Sequence, residues 1–389
     1  LEQLLKSGAK ASLMPELFQL ATKKEKKTLF VRVDEENFEK VLQKASEIIK
    51  KGGTVAFPTE TVYGLGANGL APEAVKKIFE AKKRPSGNPL SLLVHSKEEV
   101  ARVTQNIPEK ALKLMEVFWP GPLTLVLEKA ELVPALTSGN LGTIGVRMPD
   151  NPVPLELIKR AGVPLAAPSA NLSGRPSPST AAHVRTDLEG RIDMIIDGGS
   201  VEIGLESTVL DLTDKVPTLL RPGAIGLDEL EALIGKIKIG YQDSGRAEKG
   251  FEKKGGQKYG HYTPKTPLLL VEGKNEAVFL KIAELVRLFQ KNGQPAGLLL
   301  SEEGATSLFS EGIVLSSRLS ETEVPEELRF VLGPATKPAE AAKKLFEGLR
   351  SLEEKKPAVI IADGAFSLKG PGRALLNRLR EAATKSIEG

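Results

Sequence analysis

Thr54-Val-Ala-Phe-Pro-Thr-Glu-Thr-Val-Tyr-Gly-Leu-Gly-Ala-Asn-Gly69 is the stretch on which the fold assignment turns. Thr54 to Phe57 reads as a short buried strand, Pro58 to Gly69 as a long loop rich in threonine and glycine, and Pro72 to Lys82 as a helix with proline in its first turn. Gly64 to Gly69 matches G-x-G-x-x-G after a strand and before a helix, the arrangement of a dinucleotide site. Two features oppose that reading. Six residues separate Phe57 from Gly64, where the fingerprint needs its first glycine at the strand-to-helix turn. The acidic Glu80 lies inside the following helix rather than at the end of a second strand. The alternative is a glycine-rich turn whose backbone is satisfied by threonine hydroxyls.

Outward from this stretch, Leu29 to Val33 reads as a strand, and Phe38, Val41, Leu42, Ala45, Ile48 and Ile49 fall at helical spacing until Gly52-Gly53. Short strands are expected at Leu90 to Val94, Leu123 to Leu127, Ile144 to Val146, Leu165 to Ala167, Met194 to Ile196 and Thr208 to Leu212. Helices are expected near Glu109 to Val117, Pro152 to Arg160, Ala181 to Leu188 and Leu227 to Leu233. Residues 29–236 are therefore an α/β domain, and strands that follow one another without helices argue for a mixed sheet over a purely parallel one. Residues 237–266 are a linker or lid by composition, with glycines and lysines interleaved with Tyr241, Tyr259 and Tyr262. In residues 267–389, buried strands alternate with helices near Glu276 to Gln290, Pro338 to Leu352 and Gly372 to Ala382, which predicts a smaller, parallel, Rossmann-like α/β domain. Residues 1–28 form an extension, with a short amphipathic helix around Pro15 to Leu20 and a charge run from Lys23 to Lys27.

Composition narrows the chemistry. At about 150 residues per domain, 389 residues predict two domains plus connections. Cysteine is absent, which excludes disulfides, thiolate zinc sites, iron–sulfur clusters and cysteine nucleophiles, and fits a reducing, cytoplasmic setting. The three histidines, His95, His183 and His261, are far apart, which disfavours a histidine metal site or a histidine-centred triad. No apolar run approaches the ~20 residues of a membrane span, and Leu1 to Ala21 shows no secretory pattern. A net charge of +4 is too small for a non-specific nucleic-acid footprint. The chemistry expected is that of carboxylates, hydroxyls and cations.

Five clusters carry such groups. The first is the Pro58 to Gly69 loop. The second is Lys82-Lys-Arg-Pro-Ser-Gly-Asn-Pro89, either helix-dipole complement or a polyphosphate clamp in which Arg84 forks onto phosphate oxygens and a nearby lysine adds charge. No G-x-x-x-x-G-K-[ST] loop occurs, so a nucleotide is not held in the P-loop manner. The third is Thr143 to Pro149, where Arg147 ends a buried strand as a structural ion pair or as a ligand for an anion. The fourth is Ala166 to Ser179, dense in hydroxyls and prolines, either plain connection or an anion nest. The fifth is Gly204 to Val209 with Leu220-Arg-Pro-Gly223. Together they suit a reaction in which two substrates are positioned and phosphate charge is neutralised.

In this order and spacing, the clusters closely resemble the YrdC-like family of threonylcarbamoyl-AMP synthases in its longer, two-domain form. The resemblance runs from Phe38 to the C-terminus, is sharpened by Phe118-Trp-Pro-Gly-Pro-Leu-Thr124 and Glu206-Ser-Thr208, and extends to Lys258 to Pro264 and Ala374 to Leu379. It implies that L-threonine and bicarbonate form a carbamate whose oxygen attacks the α-phosphorus of ATP, giving threonylcarbamoyl-AMP and pyrophosphate. A downstream tRNA threonylcarbamoyl transferase complex would then modify adenosine beside the anticodon, with at most a weak contact between this chain and tRNA. By the resemblance, Thr61, Arg147, Ala167 (through its backbone) and Ser207 hold threonine. Arg84, Asn88, Thr143, Ser169, Ser177 and Arg221 hold ATP with its Mg²⁺, Tyr259 or Tyr262 closes over the nucleotide, and Arg84 and Arg147 are the catalytic pair. Many members carry a threonine-site histidine where this chain has Leu93, with His95 two residues on. An RNA-binding module is the competing class, opposed by the 5% aromatic content. The related hydrogenase-maturation carbamoyltransferase carries cysteine zinc fingers, which this chain lacks.

Overall fold

Alternation of side chains along short strands sorts the first domain into two faces. The protein is described by a computed structural model that covers residues 27–241, 262–310 and 318–389; the helix expected at Pro15 to Leu20, Tyr259 and His261 lie outside the described residues. The first sheet has β1 (Leu29–Arg32), β2 (Val55–Phe57), β3 (Gly64–Asn68), β4 (Ser91–Leu93), β5 (Leu123–Glu128) and β6 (Thr143–Arg147). It continues with β7 (Leu165–Ala166), β8 (Met194–Asp197), β9 (Thr208–Asp211), β10 (Thr218–Arg221) and β11 (Lys238–Ile239), the last lying beyond residue 236. The strand order is β1-β8-β2-β3-β7-β4-β6-β5-β9-β10-β11, with parallel and antiparallel pairs mixed as expected.

One expectation is corrected here. The second half of the Pro58 to Gly69 loop is strand β3, antiparallel to β2. Its glycines hide it from propensity, and their reason is packing. A Cβ on Gly66 would stand 2.5 Å from the Phe57 ring, and one on Gly69 would stand 2.3 Å from Leu92. The G-x-G-x-x-G match is thus made by side chains lying across a hairpin.

Register places Val55, Phe57, Leu165 and Leu93 on one face, where they form a single buried cluster with the helices Phe38–Lys50 and Pro152–Ala161. Leu65, Leu92, Ala166, Val146, Leu125 and Leu210 face the other way, into a larger core with the helices Pro72–Lys82, Glu109–Phe118 and Leu227–Ile234. On the first face the two helices stop at Leu93. Beyond it the same face carries Ser91, Gly145, Thr143, Val126 and Val209, small or polar and only partly buried. A sheet left uncovered over strands β4, β6, β5 and β9 offers a ligand a floor of backbone and short side chains.

The second sheet is all parallel, with β12 (Leu268–Glu272), β13 (Ala296–Ser301), β14 (Arg329–Gly333), β15 (Val359–Asp363) and β16 (Lys385–Glu388) in the order β14-β13-β15-β12-β16. Its inner strands β13, β15 and β12 are apolar on both faces, as parallel strands between helices must be. One face packs on Pro338–Glu354 and Gly370–Ala382, the other on Asn275–Lys291 and Glu302–Phe309. Val62 and Leu205 of the first domain belong to the former cluster, so the two domains share a core.

Candidate functional site

Strand direction gathers the clusters at one end of the uncovered face. Arg147 ends β6, β9 starts just after Ser207, and Arg221 ends β10. Arg147 is almost fully buried; its Nε donates to the Gly121 carbonyl (3.2 Å), and its Nη2 donates to Thr61 Oγ1 (2.9 Å) and lies 2.7 Å from Glu60 Oε1. Arg147 therefore has the ion-pair partner of the structural reading, and no hydrogen bond among the described residues engages its Nη1. The Thr61 hydroxyl is held from behind by Thr59 Oγ1 (2.8 Å). Arg221 donates through Nε to the Ser207 carbonyl and through Nη2 to Ser207 Oγ, both at 3.1 Å, and Ser207 Oγ is 2.7 Å from Thr124 Oγ1.

The remaining expected residues are distributed around this end. The Ala167 backbone N–H donates to the Ser91 carbonyl (3.0 Å), and Ser169 bridges to Gly64. Ser177 is fully buried and its hydroxyl donates to Glu206. Arg84 donates through Nη2 to the Pro89 carbonyl (3.1 Å), leaving its buried Nε without a hydrogen-bond partner. Asn88 is buried beside it, just before β4. Thr143 starts β6, four residues before Arg147 and on the same face, about 13 Å along the strand at 3.3 Å per residue. The site is thus elongated, longer than an amino acid alone requires.

The lysine expected to add charge to the clamp does something else. Lys82 is buried and donates to the carbonyls of Ser169 and Asn171, a strut beneath the serine-rich loop. Burial pushes its pKa well down, with repulsion from Arg84 adding to the effect. Lys83 is exposed at the helix end in the left-handed region (φ 51°).

The site's electrostatics favour an anion. Burial, opposed by Tyr262 and assisted by repulsion from Arg221, brings the Arg84 guanidinium down to about 10. Burial also lowers Arg221, with Arg378 and Arg147 repelling it while Tyr262 and Glu206 pull the other way. Four guanidiniums, Arg84, Arg147, Arg221 and Arg378, face three carboxylates, Glu60, Glu206 and Glu381. A buried excess of positive charge is costly unless a ligand supplies the counter-charge.

Arg378 comes from the second domain and is a site element that sequence reading missed. It is fully buried, donates through Nε to Glu206 Oε2 (2.9 Å) and through Nη2 to the Pro222 carbonyl (2.9 Å), and lies 5.4 Å from the Tyr262 ring centroid. Burial works to raise the Glu206 carboxyl, yet Arg378, Arg221 and Ser177 hold it below the ordinary range. Tyr262 is buried in the left-handed region (φ 59°) and packs on Phe346 at 5.2 Å between centroids. Arg350 binds Asp187 (2.8 Å), and Arg175 binds Glu353 (2.8 Å), so ion pairs flank the contact between domains. Gly204 (φ 78°) permits this approach, since a Cβ there would stand 2.5 Å from the Lys343 Cα.

The histidines are placed elsewhere. Strand β4 ends at Leu93, so His95 lies beyond it and is held by Glu99 through Nδ1 (2.7 Å). Leu93 is in register with Arg147 and belongs to the buried apolar cluster of the first face. His183 accepts from the Ser179 N–H (3.3 Å), and burial together with Arg350 lowers it to about 4.

Comparison with known proteins identifies the family. A family model described as "Telomere recombination" (Sua5/YciO/YrdC) matches residues 47–223, and one described as "Threonylcarbamoyl-AMP synthase, C-terminal domain" matches residues 225–384. The threonylcarbamoyl-AMP synthase of Pyrococcus abyssi is 43% identical over 356 residues, covering 92% of this chain and 98% of that one. The enzyme of the same name from Bacillus subtilis is 43% identical over 344 residues, covering 88% and 92%. The crystal structure of P. abyssi Sua5 complexed with L-threonine superposes with a TM-score of 0.80 at 42% identity, covering 93% of this chain and 99% of that one. The chain belongs to the two-domain threonylcarbamoyl-AMP synthase family.

Proposed function

We propose that this chain condenses L-threonine, bicarbonate and ATP into threonylcarbamoyl-AMP and pyrophosphate, acting as a nucleotidyltransferase. The observation that carries the reading is the gathering of Arg84, Arg147 and Arg221 with Arg378 in a buried, elongated site holding fewer carboxylates than arginines. In this reading Arg147 takes the threonine carboxylate, with the Thr61 and Ser207 hydroxyls and the Ala167 backbone beside it. Arg84, Asn88, Thr143, Ser169, Ser177 and Arg221 take the nucleotide and its phosphates. Ser177 would turn its hydroxyl from Glu206 to a phosphate oxygen.

The chemistry asks little covalent help of the protein. Carbamate oxygen and α-phosphorus must be held in line, and charge that builds on phosphate oxygens must be neutralised by groups already in place. Arg84 and Arg147 are such groups because their positions are fixed by Pro89, Gly121 and Thr61 before any substrate arrives. Among the described residues no cluster of three or more histidine or acidic side chains suits a metal ion, so Mg²⁺ would arrive on the phosphates of ATP, where it neutralises charge. Tyr262, from the linker, would shield the labile mixed anhydride from water, with Tyr259 as its companion. Among the described residues no helix is long and apolar enough to cross a membrane. We place the reaction in the cytoplasm, upstream of a transferase complex that consumes the adenylate for tRNA modification.

Incubation with ATP, Mg²⁺, L-threonine and labelled bicarbonate tests the proposal. Label should appear in an AMP adduct of the mass of threonylcarbamoyl-AMP, and only with threonine present. A nucleotide product that carries no label would overturn it.

A further inference from the structure

Among the buried carboxylates of the described residues, Glu60 stands apart. Glu99 accepts from His95, Asp187 from Arg350 and the Leu172 N–H, Glu206 from Arg378 and Ser177, and Asp363 from Ser301 and the Ala365 N–H. Glu60 is 4% exposed, and neither of its oxygens receives a hydrogen bond from any described residue. Among the described residues its ion-pair partner is Arg147, at 2.7 Å but out of hydrogen-bond alignment. A buried carboxylate without donors costs stability. Here that cost falls directly beside the arginine whose Nη1 is also unengaged.

The two groups are complementary to one class of ligand. A guanidinium edge without a hydrogen bond takes an anion, and a carboxylate whose ion pair leaves it without hydrogen-bond donors takes a cation or N–H donors. A molecule bearing both charges one carbon apart is an α-amino acid zwitterion. An anion alone would leave Glu60 unsatisfied and add a repulsive neighbour.

We propose that Glu60 binds the α-amino group of L-threonine, as the partner to Arg147 on the carboxylate. The proposal rests on the reading of this site as the threonine site. Glu60 accepts the ammonium N–H groups and so fixes which way the nitrogen points before it meets bicarbonate. The backbone carbonyls of Glu60 and Thr61 accept from the N–H groups of Ile203 (2.8 Å) and Gly204 (3.0 Å), which anchors the carboxylate against the loop leading to Ser207.

Calorimetric titration with L-threonine and with (R)-3-hydroxybutyrate, the same molecule without its amino group, separates this role from a structural one. The wild-type chain should bind threonine at least about tenfold more tightly, the worth of a charge-assisted hydrogen bond. Glu60→Gln should bring the two affinities within about threefold of each other, and Glu60→Asp should keep part of the preference. A merely structural Glu60 would weaken both ligands alike and leave their ratio unchanged. An unchanged ratio in Glu60→Gln, or equal binding by the wild-type chain, overturns the proposal while the threonine site stands. Absence of threonine binding to the wild-type chain overturns both. Should Glu60→Gln fail to fold, the wild-type ratio and Glu60→Asp still decide.

Discussion

The two sheets of this protein handle their polar groups in opposite ways. The second sheet is covered by helices on both faces, and the polar residues at its strand ends satisfy one another: Asp363 accepts from Ser301, from the Ser301 N–H (3.1 Å) and from the Ala365 N–H (2.8 Å). The first sheet leaves one face open beyond Leu93, and around it Arg147 at the end of β6, Arg84 after the helix Pro72–Lys82 and Glu60 in the loop between β2 and β3 retain atoms without hydrogen-bond partners. A sheet that closes on itself gains stability and offers no chemistry; one left partly open pays in unsatisfied charge and gains a site. The second domain still takes part, through the outside of its helices, where Arg378 and Arg350 reach into the first domain.

Substitutions can break this contrast. Arg147→Ala and Arg84→Ala should each lower threonine-dependent pyrophosphate release by at least ~10²-fold, since each removes a preorganised charge from the reacting centre. Near-normal release in both would dissolve the distinction between the sheets. Asp363→Ala should do the reverse. Its loss leaves buried donors unpaired and should reduce unfolding free energy by about 1–3 kcal/mol in chemical denaturation, with kcat and KM of the wild-type chain.

The smallest effect concerns His183, at the contact with Arg350. Its folded pKa of about 4 lies below the ordinary 6.5, so the unfolded chain binds more protons between these values. Stability from this group is complete above pH 6.5 and is lost as pH falls toward 4. His183→Asn should therefore show a smaller drop in thermal midpoint between pH 7 and pH 4.5 than the wild-type chain. An equal drop would place the acid sensitivity elsewhere.

Sequence reading reached the longer helices well, because they have an apolar stripe and a clear boundary, and Pro72–Lys82 and Ala181–Leu188 match to the residue, but it passed over the short helices Lys97–Val103 and Glu302–Phe309. It missed β3, whose Gly-Leu-Gly-Ala-Asn composition reflects the Phe57 ring packed across it rather than strand propensity. It also missed Lys385–Glu388, an exposed edge strand with no alternation of burial to betray it. For the site, the motifs located Arg84, Arg147, Ser207 and Arg221, and the structure joins Thr61 to Arg147 and Ser207 to Arg221 by direct hydrogen bonds. Glu60 lies between Thr59 and Thr61, and its lack of hydrogen-bond donors is visible only in the fold. Arg378 was illegible as a site residue for a different reason: it lies 172 positions from Glu206, and only the docking of the domains brings them together. Lys82 and Arg84 share one motif, yet Lys82 is a strut beneath the serine-rich loop whereas Arg84 keeps its Nε without a hydrogen-bond partner.

In the proposed function, Arg378 of the second domain completes the site by holding Glu206. The most direct test of this role is pyrophosphate release measured with ATP varied, at saturating threonine and bicarbonate, for the wild-type chain, Arg378→Ala and Arg378→Lys. The account predicts that Arg378→Ala, which strands the buried Glu206 charge beside Arg221 and Ser177, loses at least about tenfold in kcat/KM for ATP, and that Arg378→Lys recovers part of it. An Arg378→Ala chain that folds and turns over ATP with the wild-type kcat and KM would contradict it.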